Sequence, residues 1–443
     1  MNTTAQNTAN VNTEGYSRQR VEIQAIQRGG LVNGISVGGG AEATNIVRIT
    51  NQSFVDRLRD SNEYAQYTQS YLSGLSGLEN LFGSEGLSLS TGLAQFFAAI
   101  DEASVTPEST ALRQQILINS DALAQQFNAL SNQLTQQETN QAQHFGVVVD
   151  SINSQLAVIA SLNKEIYSRS QTGDSVAGLQ DELDLHLQEL SGSMEIRVLY
   201  TEDGDAEIST NNGLPLVIRD QAAKLERDFT NGDSNSVELS VNFLGSIKKV
   251  NGGYGGELGA IESLKKGVFE PTSELLNDMA KAFADEVNGA LSTGYDLMGG
   301  TPGRALFTYT TNSAARSLAI DESLSPIELA FSSDGLAGNG DVLAQISMLS
   351  LQNQTYGAVA GETFYSAYSG LLGKIGIETR QAQSESISAQ VALEEAQVAR
   401  DSVSAVNTDE EAANMMQFMN AYEANMKVIS TANQMFQTLL SAF

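Results

Sequence analysis

Cysteine and tryptophan are absent from this chain of 443 residues, histidine occurs twice and proline five times. Each scarcity excludes something. Without cysteine there is no disulfide, thiolate zinc site, iron–sulfur cluster or cysteine nucleophile. His144 and His186 alone leave too little imidazole for a His-based metal centre or a Ser-His-Asp triad. Basic residues are few: 24 Lys and Arg against 53 Asp and Glu give a net charge of −29. That charge repels phosphate backbones and anionic lipid, so nucleic acid is not an expected partner. No uninterrupted apolar run approaches the ~20 residues of a membrane span, so membrane insertion is not expected. The opening, Met1 to Asn12, is polar and uncharged, unlike a cleavable signal peptide.

Hydrophobic residues make up 41% of the chain, enough for sizeable cores. At ~150 residues per domain the length suggests about three domains. Residues 1–44 are rich in Asn, Thr and Gly, and Gly29 to Gly40 reads as a loop around a short extended segment. A helical pattern begins at Asn45 and is broken at Gly83 to Gly92; a short apolar helix, Leu93 to Ala103, follows. Pro107, with Ser104 or Thr106 as cap, predicts the start of a long helix running to Ser170. Leu112 to Leu134 and Phe145 to Ile166 form two apolar stripes around a polar middle, Thr135 to Gln143, expected to be solvated. A third helix is predicted over Val176 to Leu190.

The period then changes to two. Met194 to Tyr200, Ala206 to Thr210, Gly213 to Ile218 and Val237 to Phe243 alternate between Gly, Asn and Asp turns, which predicts antiparallel hairpins. Residues 191–250 therefore read as a small β domain inserted into a helical body. Helix returns over Thr272 to Leu291, Val342 to Leu351, Glu362 to Val406 and Thr408 to Phe443, with a loop-rich stretch from Ser292 to Asp341. The expected fold is mainly α: a long antiparallel helical bundle or coiled coil made by the N- and C-terminal parts, with the β insert.

In the last helix, Ala412, Met415, Met419, Tyr422, Met426, Ile429, Asn433, Phe436, Leu440 and Phe443 recur in alternating steps of three and four. Such a narrow stripe needs a partner helix, from the same chain or a neighbour. Its methionines suit more than one partner. Thr408-Asp409-Glu410-Glu411 supplies an N-cap and an acidic first turn.

The opening Gln6-Asn7-Thr8-Ala9-Asn10-Val11-Asn12-Thr13-Glu14-Gly15-Tyr16-Ser17-Arg18-Gln19 resembles the N-terminal signature shared by bacterial flagellar rod, hook and hook-associated proteins. The motif residues are Asn10, Asn12, Thr13, Gly15 and Tyr16. Ser404 to Asn414 and Ala421 to Ala432 are similar to the C-terminal blocks of that family. Asp181-Glu182-Leu183 entering the β segment, and Gly256 to Ile261 followed by Met279 to Asn288, resemble the hook–filament junction subunits within it. Thr8, Ala405, Thr408 and Leu291 depart from the usual residues. Family members normally carry a further apolar heptad segment before this opening, the expected partner of the terminal stripe.

The resemblance implies a structural subunit, not an enzyme, without cofactor. It implies export through the flagellar secretion apparatus without a cleaved signal and an extracellular place where hook meets filament. The implied partners are the hook protein, the next junction protein, copies of the same chain and a cytosolic export chaperone. Residues 1–44 with 405–443 would be polymerisation segments, 45–190 with 251–404 the long-helix bundle, and Met415, Met419, Tyr422, Met426, Ile429, Phe436 and Leu440 the packing face for subunits or chaperone. Another axial subunit, hook-like or flagellin-like, is the nearest alternative.

The residues themselves offer little chemistry. Glu202, Asp203, Asp205 and Glu207 read as a solvated hairpin turn, lacking the twelve-residue calcium-loop pattern. His144 and His186 read as ordinary helical residues. Gly252 to Gly256 reads as a flexible linker that neither follows a strand nor opens a helix, unlike a phosphate loop. A carboxylate-dependent hydrolase in the β insert has only the surplus of Asp and Glu behind it.

Overall fold

The computed structural model describes residues 1–26, 31–32, 35–36, 40–230, 232–357 and 359–441. Most of the Gly29 to Gly40 loop, and Phe443 of the terminal stripe, lie outside them. The chain opens with a helix, α1 (Asn2–Ala9), and a strand, β1 (Gln19–Ala25). Two short strands, β2 (Leu31–Val32) and β3 (Ile35–Ser36), precede β4 (Ala41–Arg48), which pairs antiparallel with β1. The helical pattern expected from Asn45 thus starts later. Asn45 to Arg48 are β4, and α2 (Gln52–Phe82) begins after Asn51, whose side chain accepts from the Ser53 N–H and caps it.

Next come α3 (Leu89–Val105), α4 (Thr110–Thr172) and α5 (Ala177–Ser193). At 1.5 Å per residue α4 is about 95 Å long. It is preceded by Ser109 rather than by Ser104 or Thr106. Pro107 instead offers its carbonyl to the buried Arg113 guanidinium at 2.6 Å. An apolar window of α4, though interrupted by polar residues, has the length and mean hydropathy, 1.5, of a membrane span; 44% of that window is buried inside the protein.

Seven strands follow: β5 (Ile196–Tyr200), β6 (Ala206–Thr210), β7 (Pro215–Ile218), β8 (Gln221–Ala222), β9 (Lys224–Arg227), β10 (Leu239–Phe243) and β11 (Ser246–Val250). They make two antiparallel sheets, ordered β5-β6-β7-β8 and β11-β10-β9. The expected hairpins are here, with β8, β9 and β11 added; β11, Ser-Ile-Lys-Lys-Val, is mostly exposed and shows little alternation. Two asparagines of α4 clip the sheets on. Asn163 donates to the carbonyls of Ala206 and Arg219 at 2.7 and 3.0 Å and accepts from the Ala206 N–H at 3.0 Å. Asn153 makes the same two-way pair with Leu225. Asn163→Ala leaves three buried backbone groups without this partner, so we expect a loss of about 2 kcal/mol in urea unfolding.

The return passage is α6 (Gly256–Leu264), a π-helical turn over Lys265–Phe269, and α7 (Glu270–Ser292). The helix therefore starts well before the expected Thr272. Then come β12 (Phe307–Thr308), α8 (Ala314–Ser317), β13 (Ala319–Ile320), α9 (Asp341–Met348), and a hairpin of β14 (Gln354–Tyr356) and β15 (Val359–Glu362). The chain finishes in α10 (Phe364–Ser404) and α11 (Thr408–Ser441). The cap of α11 is Asn407, which accepts from the N–H of Asp409 at 3.0 Å, one residue ahead of the expected Thr408.

Two apolar cores result. One gathers the end of α2, α3, the first half of α4, α7 and the start of α10, around Phe96, Phe97, Phe283, Phe307 and Phe364. The other gathers the second half of α4, α5, α6 and the two sheets, around Phe145, Ile152, Ile159, Leu187, Leu239 and Tyr254. The polar middle of α4 is not simply solvated: Glu138 pairs with Lys265 at 3.3 Å and Thr139 accepts from Asn235 at 3.2 Å.

Candidate functional site at the root of the terminal segments

Residues 1–18 fold back on themselves through one buried side chain. Asn7 accepts at Oδ1 from the Gln19 N–H (3.0 Å) and the Tyr16 hydroxyl (2.8 Å), and donates from Nδ2 to the Gln19 carbonyl (2.9 Å). Around it the motif residues close the turn. Asn10 donates to the Gln6 carbonyl at 2.9 Å and accepts from Thr13 at 3.1 Å. Gly15 has φ +77°, a conformation that disfavours any residue with a Cβ. Asn12 lies exposed in the same turn.

The turn is pinned from three directions. Asp181 of α5 accepts from the Ser17 N–H at 3.1 Å. Arg400 of α10 donates to the Gly15 carbonyl at 2.8 Å. The Arg18 N–H donates to the Ser404 carbonyl at 2.8 Å, and its guanidinium reaches past the end of α10 to Glu410 (2.6 Å) and Glu411 (2.7 Å) of α11. Behind them, Arg48 at the end of β4 pairs with Asp181 at 3.0 Å and Asp184 at 2.7 Å, and Tyr200 donates to Asp184 at 2.5 Å. Chain segments separated by up to 393 residues meet in one polar knot.

Its charges are balanced by contact. Burial opposes the charge on Arg18 and on Arg48, but their carboxylate partners outweigh it and hold both above the ordinary guanidinium value. Burial pushes the Asp181 carboxyl up, against the pull of Arg48 and the Ser17 N–H. Burial, with the fields of Asp181 and Glu411, pushes the Tyr16 phenol up to about 12.

The knot sets where α11 leaves the body. Glu411 is buried, and the apolar stripe beyond it is bare. Met415 is half-buried, whereas Met419, Tyr422, Met426, Ile429, Phe436 and Leu440 are all exposed, between 48% and 65%. A helix of 34 residues thus presents a continuous apolar face to solvent. The structure brings the motif residues together with the root of α11, and leaves the packing residues together on its face. Asn7, Arg18, Asp181, Glu410 and Glu411 stand in the blocks that carry the family resemblance, but sequence gives Glu410 and Glu411 only an acidic first-turn role and the other three none. Arg48, Asp184 and Arg400 carry no sequence signal, because their partners lie far away along the chain.

The other candidates are structural. Asp203 accepts from Ser170 and Gln171, and Asp205 from Thr201, inside the β5–β6 turn. His144 sits exposed 2.7 Å from Glu257, and His186 sits 3.3 Å from Glu189. Among the described residues no group of three or more His, Asp or Glu is placed to hold a metal. The glycine-rich segment does follow a strand, β11, and open a helix, α6, contrary to the sequence reading. Its anion site is filled from within: the Gly256 N–H donates to Glu63 at 2.6 Å. A Cβ on Gly256, at φ +53°, would lie 2.6 Å from the Gly192 carbonyl oxygen, so glycine is required there by close approach of backbone to backbone.

Comparison with known proteins bears on this geometry. Residues 75–307, more than half of the chain, match the family described as flagellar hook-associated protein FlgK helical domain. Residues 400–442 match flagellar basal body rod FlgEFG protein C-terminal. The chain is similar over its full length to flagellar hook-associated protein 1 of Bacillus subtilis, at 26% identity covering 94% of that protein. It is similar to the protein of the same name from Escherichia coli, at 24% identity covering 96%. Its fold resembles the flagellar hook junction protein FlgK from Burkholderia pseudomallei, with a TM-score of 0.71 and 14% identity over 79% of this chain and all of that one.

Proposed function

The chain belongs to the flagellar hook-associated protein family, and from that premise we propose that it is a structural subunit joining hook to filament. The observation that carries the reading is the bare stripe of α11, held at a fixed root by the knot around Arg18. A long helix with an exposed apolar seam gains stability by burying that seam against a partner of the same kind. In the assembled polymer that partner is helix from neighbouring subunits, and residues 1–44 with 405–443 form the inner packing layer. Residues 45–190 with 251–404 form the rod-like layer outside it, and residues 191–250 face outward. Hook protein below, the next junction protein above and copies of the same chain alongside are the partners. Before assembly a cytosolic export chaperone covers the stripe, and the chain leaves through the flagellar secretion channel without cleavage of a signal. Methionine at 415, 419 and 426 lets one face serve two partners in succession.

Immunogold labelling of intact flagella with antibody against residues 191–250 tests this. A single narrow band where hook meets filament is the expected result. Label along the entire hook or filament reassigns the chain to another axial subunit. Signal confined to cell bodies overturns the assignment and returns the β insert to consideration as an enzyme.

A further inference from the structure

A second binding feature lies between α7 and α10, on the body of the subunit. The π-helical turn, α7, the β14–β15 hairpin and α10 enclose a cavity of about 300 Å³, at the lower end of ligand-pocket sizes. Its walls are apolar: Val268, Leu275, Tyr356, Val359, Leu371 and Ile375. Two lining positions, Gly267 on the π turn and Gly370 on α10, carry no side chain, and a Cβ at either would meet open space. The opening is left unfilled by residues that would fill it at no steric cost. Such π turns recur at functional sites. On the hairpin side, Gly357, at φ +53°, lies against the Asp278 carboxylate.

Charge identifies the occupant. Glu274, Asp278, Glu362 and Glu378 line the cavity with a single cation, Lys374, which already faces Glu378 at 3.9 Å. Among the described residues no ion pair reaches Glu274, Asp278 or Glu362. Tyr356, 1% exposed, lines the same cavity and its hydroxyl has no hydrogen-bond partner among the described residues. Apolar walls and an acidic rim short of cations fit an apolar side chain flanked by positive charge, and the unpartnered Tyr356 hydroxyl is free to bond a backbone group of the same segment.

We propose that this cavity is a docking site for a peptide segment of a partner protein that presents an aromatic or branched aliphatic side chain beside Lys or Arg. The apolar side chain fills the space left by Gly267 and Gly370, and the cation meets Asp278 and Glu274. The site is independent of the α11 stripe and uses none of its residues.

Calorimetric titration of the full chain with acetyl-Lys-Phe-Lys-amide and acetyl-Glu-Phe-Glu-amide tests it. Saturable binding of the basic peptide, weakened at least fivefold by Glu274→Gln with Asp278→Asn and abolished by Gly370→Leu, is the expected outcome. A Cβ on Gly370 meets open space and leucine adds helix propensity, so Gly370→Leu is expected to fill the cavity mouth in a protein whose unfolding midpoint is unchanged or raised. No saturable binding, equal binding of the acidic peptide, or full binding to Gly370→Leu would overturn the proposal. Phenethylamine binding as tightly as the basic peptide would also overturn it, reassigning the cavity to a small organic cation.

Discussion

Met419→Asp or Ile429→Asp is expected to abolish assembly and the proposed chaperone capture while leaving the isolated subunit folded. Both side chains are about half exposed and project from a helix whose stripe touches no core. In the monomer either change falls within the ~0.5 kcal/mol range of surface substitutions, so circular dichroism and the unfolding midpoint stay where they were. On the proposed packing role of the stripe, the same position becomes covered in the polymer. The variant forfeits roughly 2 kcal/mol of apolar burial, and it places a carboxylate where no cation of the stripe can meet it, at a further cost of several kcal/mol. The variants are expected to be non-motile in swim plates and absent from chaperone pull-downs. Normal motility with normal chaperone binding would refute the role given to the stripe.

Arg48→Ala is expected to cost about 3 kcal/mol in urea unfolding. It leaves Asp181 and Asp184, both largely buried, facing each other without a cation. The loss depends on pH in a defined direction. Asp181 already has a raised native pKa, and removal of Arg48 raises it further, so the native variant binds a proton more readily than its unfolded chain. The deficit is therefore full at neutral pH and shrinks as pH falls toward the ordinary Asp range. Asp181→Asn added to Arg48→Ala keeps an acceptor for the Ser17 N–H, removes one charge, and should restore more than half of the loss. A deficit that stays constant from pH 7 to 4 would show that packing of the Arg48 stem, not charge, is what matters.

The helices were legible wherever an apolar stripe met a strong stop. Gly83 ends α2 and Gly173 ends α4, so both ends read correctly to within a few residues. The β insert was legible where alternation is clean, as in β6, whose residues alternate buried and half-buried. It was illegible in β9 and β11, where lysine and glutamate mask the period. The β1–β4 hairpin was missed because Asn, Thr and Gln in a strand look like loop, and its pairing depends on a tertiary seat. Half of the candidate site followed from the stripe of α11, a local pattern. The knot at its root did not, because Arg48 and Asp181 are joined by folding across 133 residues, and no local pattern records that.

The long helix α4 contributes Leu123, Phe127, Leu130 and Leu134 to one core and Phe145, Ile152, Ile159 and Ile166 to the other. A helix shared in this way is a beam built into two foundations. Neither core can melt without fraying the segment that enters the other, so the two are expected to unfold together. The same continuity matters for load. A single hydrogen-bonded helix of 63 residues is expected to carry an axial load from one core to the other as one continuous element.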